Sequence, residues 1–164
     1  MRENKNRVLV TGASGFVGRH ALRALAELGY EVHAVSRAPE EQHRTCGRWH
    51  CGNLLVAEDR ERILRETRPT HLLHLAWETD HGKFWASPKN LDWLVATVEL
   101  LHCFAVLGGA RFVGAGTCFE YDSEAAAAGA RLCLESETAL GTKTLYDCTK
   151  SATFHVAAEF CRLN

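Results

Sequence analysis

The stretch Thr11-Gly12-Ala13-Ser14-Gly15-Phe16-Val17-Gly18 constrains this chain more than any other. A β-rich run, Arg7 to Thr11, leads into it, and apolar residues at helical spacing lead out from Phe16 to Leu28, closed by Gly29. Glycines at 12, 15 and 18 permit a tight turn, a close backbone approach to a ligand, and tight packing of a helix on a strand. The free amides at the helix N-terminus then point at an anion. The spacing is GxxGxxG rather than GxGxxG. Between a strand and a helix, at βαβ length, it reads as a turn for the pyrophosphate of a dinucleotide.

The rest of the chain repeats the alternation. The expected strands are Glu31 to Ser36, Arg48 to Cys51, Thr70 to Ala76 and Ala110 to Ala115. The expected helices are Glu58 to Thr67, Pro88 to Leu107, and about Leu145 to Arg162, while the polar, small-residue stretch from Ser123 to Thr144 reads as a loop. Crossovers of this length indicate an α/β domain with a mostly parallel, doubly wound sheet of Rossmann type. The 164 residues suit one domain. Only five strands are visible where such sheets usually have six or more. The expectation is therefore a dinucleotide-binding domain over 1–164, truncated after its last helix. In the helix from Pro88, residues such as Leu94, Val98 and Leu101 cover more than one stripe, so a second side should be buried in the core or against a partner chain.

Composition removes several classes of function. With 46% hydrophobic and 24% charged residues, a folded soluble chain is expected. Nineteen basic residues against 20 acidic give a net charge of -1, which offers no footprint for nucleic acid or an anionic membrane. The start is polar and no apolar run is long enough to span a bilayer, so the expected location is cytoplasmic. The 7 cysteines include no CxxC pair and read as reduced, mostly buried thiols. His43, Cys46, His50 and Cys51 match no established zinc spacing, and no metal is expected.

A second constellation is Tyr146-Asp147-Cys148-Thr149-Lys150. Four residues apart on a helix, the phenol and the ammonium share one face. A nearby cation favours the phenolate of a group that is otherwise a poor base at neutral pH.

With both motifs present, the sequence resembles the extended short-chain dehydrogenase/reductase family, the NAD(P)-dependent nucleotide-sugar epimerases, dehydratases and reductases. TGASGFVG resembles the family's TGxxGxxG, and His71-Leu72-Leu73-His74-Leu75-Ala76 its fourth strand. Asn90 falls where the family has a structural asparagine. Thr117, four positions before Tyr121, matches the family's catalytic Ser or Thr. The resemblance implies a Tyr146 that shuttles a proton at a sugar hydroxyl or keto group and a Thr117 that bonds the reacting oxygen. It further implies a Lys150 that binds the nicotinamide ribose and lowers the phenol's pKa, with hydride carried by the cofactor.

The implied cofactor contacts are Gly12, Ser14, Gly15, Phe16, Val17, Gly18, Ser36, Arg37, Asn53, Leu54, Leu75, Ala76 and Trp77, together with Lys150. Strand two ends in Ser36-Arg37 with no acidic residue, which favours NADP over NAD. Trp77, Trp85 and Trp93 are read as packing residues rather than a substrate pocket. Departures from the family pattern are Cys118 and Phe119 in place of the dehydratases' acidic pair, and Asp147 in place of Gly. They disfavour sugar 4,6-dehydration and leave an epimerase or 4-keto reductase acting on a nucleotide sugar. The alternative is a truncated, non-catalytic dinucleotide-binding protein. Family pairing of the Pro88 and YxxxK helices implies a homodimer.

Overall fold

A computed structural model describes residues 6–38, 46–122, 133–134, 138–141 and 143–163. The strands are β1 (Arg7–Thr11), β2 (Glu31–Ser36), β3 (Arg48–Cys51), β4 (His71–His74) and β5 (Arg111–Gly114). The helices are α1 (Phe16–Glu27), α2 (Ala57–Thr67), α3 (Lys89–Val106) and α4 (Leu145–Leu163), with short 3-10 turns at Phe84–Ala86 and Cys118–Glu120. All four strand pairings are parallel, in the order β3-β2-β1-β4-β5. This is the doubly wound sheet that the alternation predicts. The fourth and fifth strands and the Pro88 helix are shorter than expected, and the two 3-10 turns had no periodicity to announce them.

Two compact units are formed, one of Met1–Trp77 with Glu99–Ala115 and one of Glu78–Val98 with Gly116–Asn164. The first holds the sheet. Register pairs Leu9 with His33 and with Leu72, so these share one face, while Val8, Val10, Val32 and Ala34 share the other. The second face forms a core with Ala13 and Leu22. Toward the first face, α2 brings Glu66 to within 3.8 Å of His50, next to His33. Ile63 and Leu64 of α2 are fully buried, as is Leu100 of α3. Buried Arg60 ties this region together, donating to the Leu54 carbonyl and ion-pairing with Glu99. Burial lowers the pKa of its guanidinium.

Two expectations are corrected. The thiols are free but not mostly buried: Cys51, Cys118, Cys133, Cys148 and Cys161 are exposed. Cys51 closes the edge strand β3, and Cys148 and Cys161 lie on α4 positions that helical periodicity leaves to solvent. Leu101 needs no external cover, since it is already buried within the chain, whereas Leu91, Val95 and Val98 on the same helix are exposed. Of the four residues weighed as zinc ligands, His43 lies outside the described residues, and His50 is engaged by His33. Among the described residues no cluster of three metal-ligating side chains occurs.

Candidate active site

In the sheet unit, the predicted nucleotide residues gather at the carboxyl ends of the strands, around the point between β1 and β4 where strand order reverses. Gly12 has φ +64, and a Cβ there would stand 2.8 Å from the Ala76 nitrogen. Only glycine tolerates both the left-handed backbone and that approach. At Gly18 a Cβ would lie 2.7 Å from the Ala13 Cα and closer still to the Gly12 carbonyl oxygen, so the helix sits directly on the turn. Gly15 differs: its Cβ would meet only the Gly12 oxygen, at 3.1 Å, and otherwise open space. No side chain caps the N-terminus of α1 and no acidic residue occupies its first turn. The exposed Phe16 and Val17 follow. Free amides beside a cradle that a side chain would fill suit a diphosphate.

Behind this turn, the Thr11 hydroxyl accepts from the Leu75 and Ala76 amides at 3.1 and 3.2 Å. With both lone pairs engaged, it gives its hydrogen to His74 Nδ1 at 2.8 Å, which leaves the ring hydrogen on Nε2. The strand ends are thereby locked, and Trp77, half-buried, continues from them. Ser36 Oγ donates to Ser14 Oγ at 3.3 Å, joining the β2 end to the glycine turn, and Arg37 is exposed beside it. Asn53 Oδ1 accepts from the Leu55 amide at 3.2 Å, a local turn, while the Leu54 side chain is buried and its carbonyl is held by Arg60.

In the second unit the three predicted acid–base residues come together. Thr117 precedes the Cys118–Glu120 turn, and its hydroxyl is near enough to the Tyr146 phenol to favour the phenolate. Tyr146 and Lys150 lie one helical turn apart on α4, and Lys150 is buried. Phe84 and Trp85 press edge-on against the Tyr146 ring, at centroid distances of 4.8 and 5.8 Å. Trp85 also meets Phe119 at 4.6 Å. Buried Asn90 holds that aromatic turn in place by donating from Nδ2 to the Phe84 and Ser87 carbonyls at 2.6 and 3.0 Å. Trp85 is therefore part of the site's wall, which the sequence reading did not assign to it.

The electrostatics depart from expectation. Burial pushes the Tyr146 phenol up, and the Thr117 hydroxyl opposes this, while Glu120, Asp147 and Cys118 add to the rise. The expected lowering by Lys150 is not what governs this phenol: desolvation is the larger effect. Burial likewise pushes the Lys150 ammonium down to about 8, against the field of Glu120, which raises it. Asp147, out of place by the family pattern, has a local explanation. Its carboxylate accepts from the Thr144 amide at 3.1 Å while its own amide donates to Thr144 Oγ1 at 3.2 Å, a reciprocal cap on α4. Glu120 was missed, although Thr117-Cys118-Phe119-Glu120 carries the same [ST]xx[DE] capping signature.

A parallel sheet in this order, with a glycine turn at its switch point, defines a Rossmann-type α/β protein. The chain belongs to the NAD dependent epimerase/dehydratase family, whose model matches residues 8–164. It is 26% identical over 115 residues to a dTDP-6-deoxy-L-talose 4-dehydrogenase (NAD(+)) of Aggregatibacter actinomycetemcomitans, covering 69% of this chain and 42% of that protein. To a UDP-glucose 4-epimerase of Rhizobium leguminosarum bv. trifolii it is 29% identical over 119 residues, covering 70% and 36%. Among solved structures, the UDP-glucose 4-epimerase of Thermus thermophilus in complex with NAD matches at TM-score 0.80 and 25% identity, over 96% of this chain and 51% of that one. An epimerase of Methanothermobacter thermautotrophicus has the same fold at TM-score 0.81 and 22% identity, over 97% and 48%. The chain thus spans about half the length of the solved structures and less than half of these curated relatives.

Proposed function

We propose that this chain carries the nucleotide-binding and acid–base portions of an NAD(P)-dependent oxidoreductase of nucleotide sugars, an epimerase or 4-keto reductase. The observation that supports it most is the convergence of Thr117, Tyr146 and Lys150 in one unit, where the Thr117 hydroxyl acts on the phenol. When bound, a nicotinamide dinucleotide supplies hydride chemistry. In the sheet unit, the uncapped α1 N-terminus and Gly15 would receive its diphosphate, and Ser36 and Arg37 the adenosine ribose. Asn53, Leu54, Leu75, Ala76 and Trp77 would line the remainder. The exposed Arg37 and the lack of an acidic residue there favour a 2′-phosphate, hence NADP.

Tyr146 would exchange a proton with the sugar oxygen, and Thr117 would orient that oxygen. A phenol whose pKa is raised by burial rests protonated, which suits donation to a keto oxygen, the direction of a 4-keto reductase. Cys118 and Phe119 provide no acid or base at the positions where dehydratases by resemblance have them. A non-catalytic dinucleotide-binding role is the second reading. A homodimer through α3 and α4 is also proposed, with Leu91, Val95, Phe154 and Val156 as exposed apolar residues on those helices.

The test is calorimetric titration of the chain with NAD and NADP, followed by single-turnover hydride transfer to 4-keto nucleotide sugars. Transfer that disappears in Tyr146→Phe supports the oxidoreductase. Binding without transfer, even when the chain is extended through its downstream reading frame, supports the second reading.

A further inference from the structure

Glu120 is a carboxylate only 6% exposed, on a three-residue turn where a cap could equally well sit in water. Its Oε1 accepts from the Thr117 amide at 2.5 Å, and a Cβ on Gly116 would come within 2.9 Å of the same oxygen. Room for the carboxylate therefore depends on glycine at 116. The backbone around it is pinned as well: the Gly141 amide donates to the Glu120 carbonyl at 2.9 Å, next to an antiparallel bridge between Tyr121 and Leu140. A buried carboxylate is costly unless hydrogen-bonded and matched by a cation. Lys150, 7% exposed, is a buried cation on α4, the helix that packs against the Cys118–Glu120 turn.

We propose that Glu120 is a positioning residue of the acid–base set: its buried carboxylate fixes the Thr117 main chain and serves as the counter-charge to the Lys150 ammonium. The inference rests on reading Thr117, Tyr146 and Lys150 as that set. Two constraints then meet in one side chain. The bond to the Thr117 amide orients the residue whose hydroxyl acts on Tyr146. The negative charge keeps the neighbouring amine in the form that can bind a ribose hydroxyl as donor and favour a phenolate. On the helix of Lys150, Tyr146 and Asp147 lie one turn back, and the Phe84–Ala86 turn packed on that helix carries no titratable side chain. From the turn after Thr117 comes Glu120, whose charge supports the ammonium against burial. The same charge disfavours the Tyr146 phenolate, so Glu120 acts on the two groups in opposite senses.

The experiment uses the full chain without cofactor or substrate, so its outcome is separate from that of the nucleotide-binding and hydride-transfer tests. Lysine reactivity is followed against pH by competitive acetylation and mass spectrometry in the wild type and in Glu120→Gln. The glutamine oxygen still accepts from the Thr117 amide, so a cap alone would be preserved. The expected result is a half-titration of Lys150 lower by about one unit or more. An unchanged Lys150 titration in folded Glu120→Gln overturns the proposal. Thermal unfolding gives a second reading: Lys150→Met should lose melting temperature at pH 7. The double variant Glu120→Gln/Lys150→Met should melt above Lys150→Met at pH 7. Additive losses would overturn the counter-charge.

Discussion

Gly12, Gly15 and Gly18 share a motif but answer to different demands, and substitution should separate them. At Gly15 the space beyond the Gly12 oxygen is open, so Gly15→Val should fold while losing NAD(P) affinity by a hundredfold or more on calorimetry, a loss on the order of 3 kcal/mol. At Gly18 the added methyl meets fixed backbone, and Gly18→Ala should lower unfolding free energy by about 3 kcal/mol in denaturant titration. Away from the site, His33 Nδ1 and His50 Nε2 approach to 2.9 Å, with Glu31 and Glu66 at the outer ends. Burial holds both imidazoles below the ordinary histidine range, and Arg48 lowers both further. The unfolded chain therefore binds protons that the folded chain refuses, and stability rises with pH across that window. Melting temperature should fall as pH drops below about 6.5, and His50→Gln should flatten that part of the profile.

At the scale of elements, short irregular pieces set the geometry around Tyr146. Two bonds from Asn90 hold the Phe84–Ala86 turn, whose Phe84 and Trp85 rings fix the phenol from the side. Asn90→Ala should cost about 2 kcal/mol of stability and should change Trp85 fluorescence even where the fold persists. The α4 cap is a comparable device. Thr144→Ala removes one side of the reciprocal bond with Asp147 and should cost about 1 kcal/mol by thermal unfolding.

For the whole molecule, α3 and α4 expose Leu91, Val95, Phe154 and Val156, more apolar surface than two solvated helices need. Sedimentation equilibrium should show a dimer that Val95→Glu or Phe154→Glu converts to monomer, and a strict monomer at high concentration in the wild type would remove that proposal. The exposed Val113 on the edge strand β5 marks another uncovered place. Taken alone, residues 1–164, about half the length of the solved relatives, are expected to bind NAD(P) but to turn over nucleotide sugars at a negligible rate. Hydride transfer needs the sugar held against the nicotinamide, and a misplacement of about 1 Å costs on the order of a hundredfold. Turnover abolished by Tyr146→Phe in this chain would overturn that expectation.

Residue order alone determined the alternation of strands and helices, the glycine turn and the shared face of Tyr146 and Lys150. Each follows from local backbone geometry: period two or 3.6, positive φ at Gly12, and side chains one helical turn apart. The doubly wound parallel class also followed, because crossovers of that length join parallel strands, whereas the order of the strands came from the structure. Only the tertiary structure decided the protonation of the site. The phenol's pKa rises because its helix is packed under Phe84 and Trp85, and no spacing in the sequence reports that burial. Glu120 and Lys150, thirty positions apart, become buried charges in each other's field only when the chain folds. Desolvation and Coulomb energy depend on three-dimensional surroundings, so the sequence could name candidate acid–base residues but not their charge.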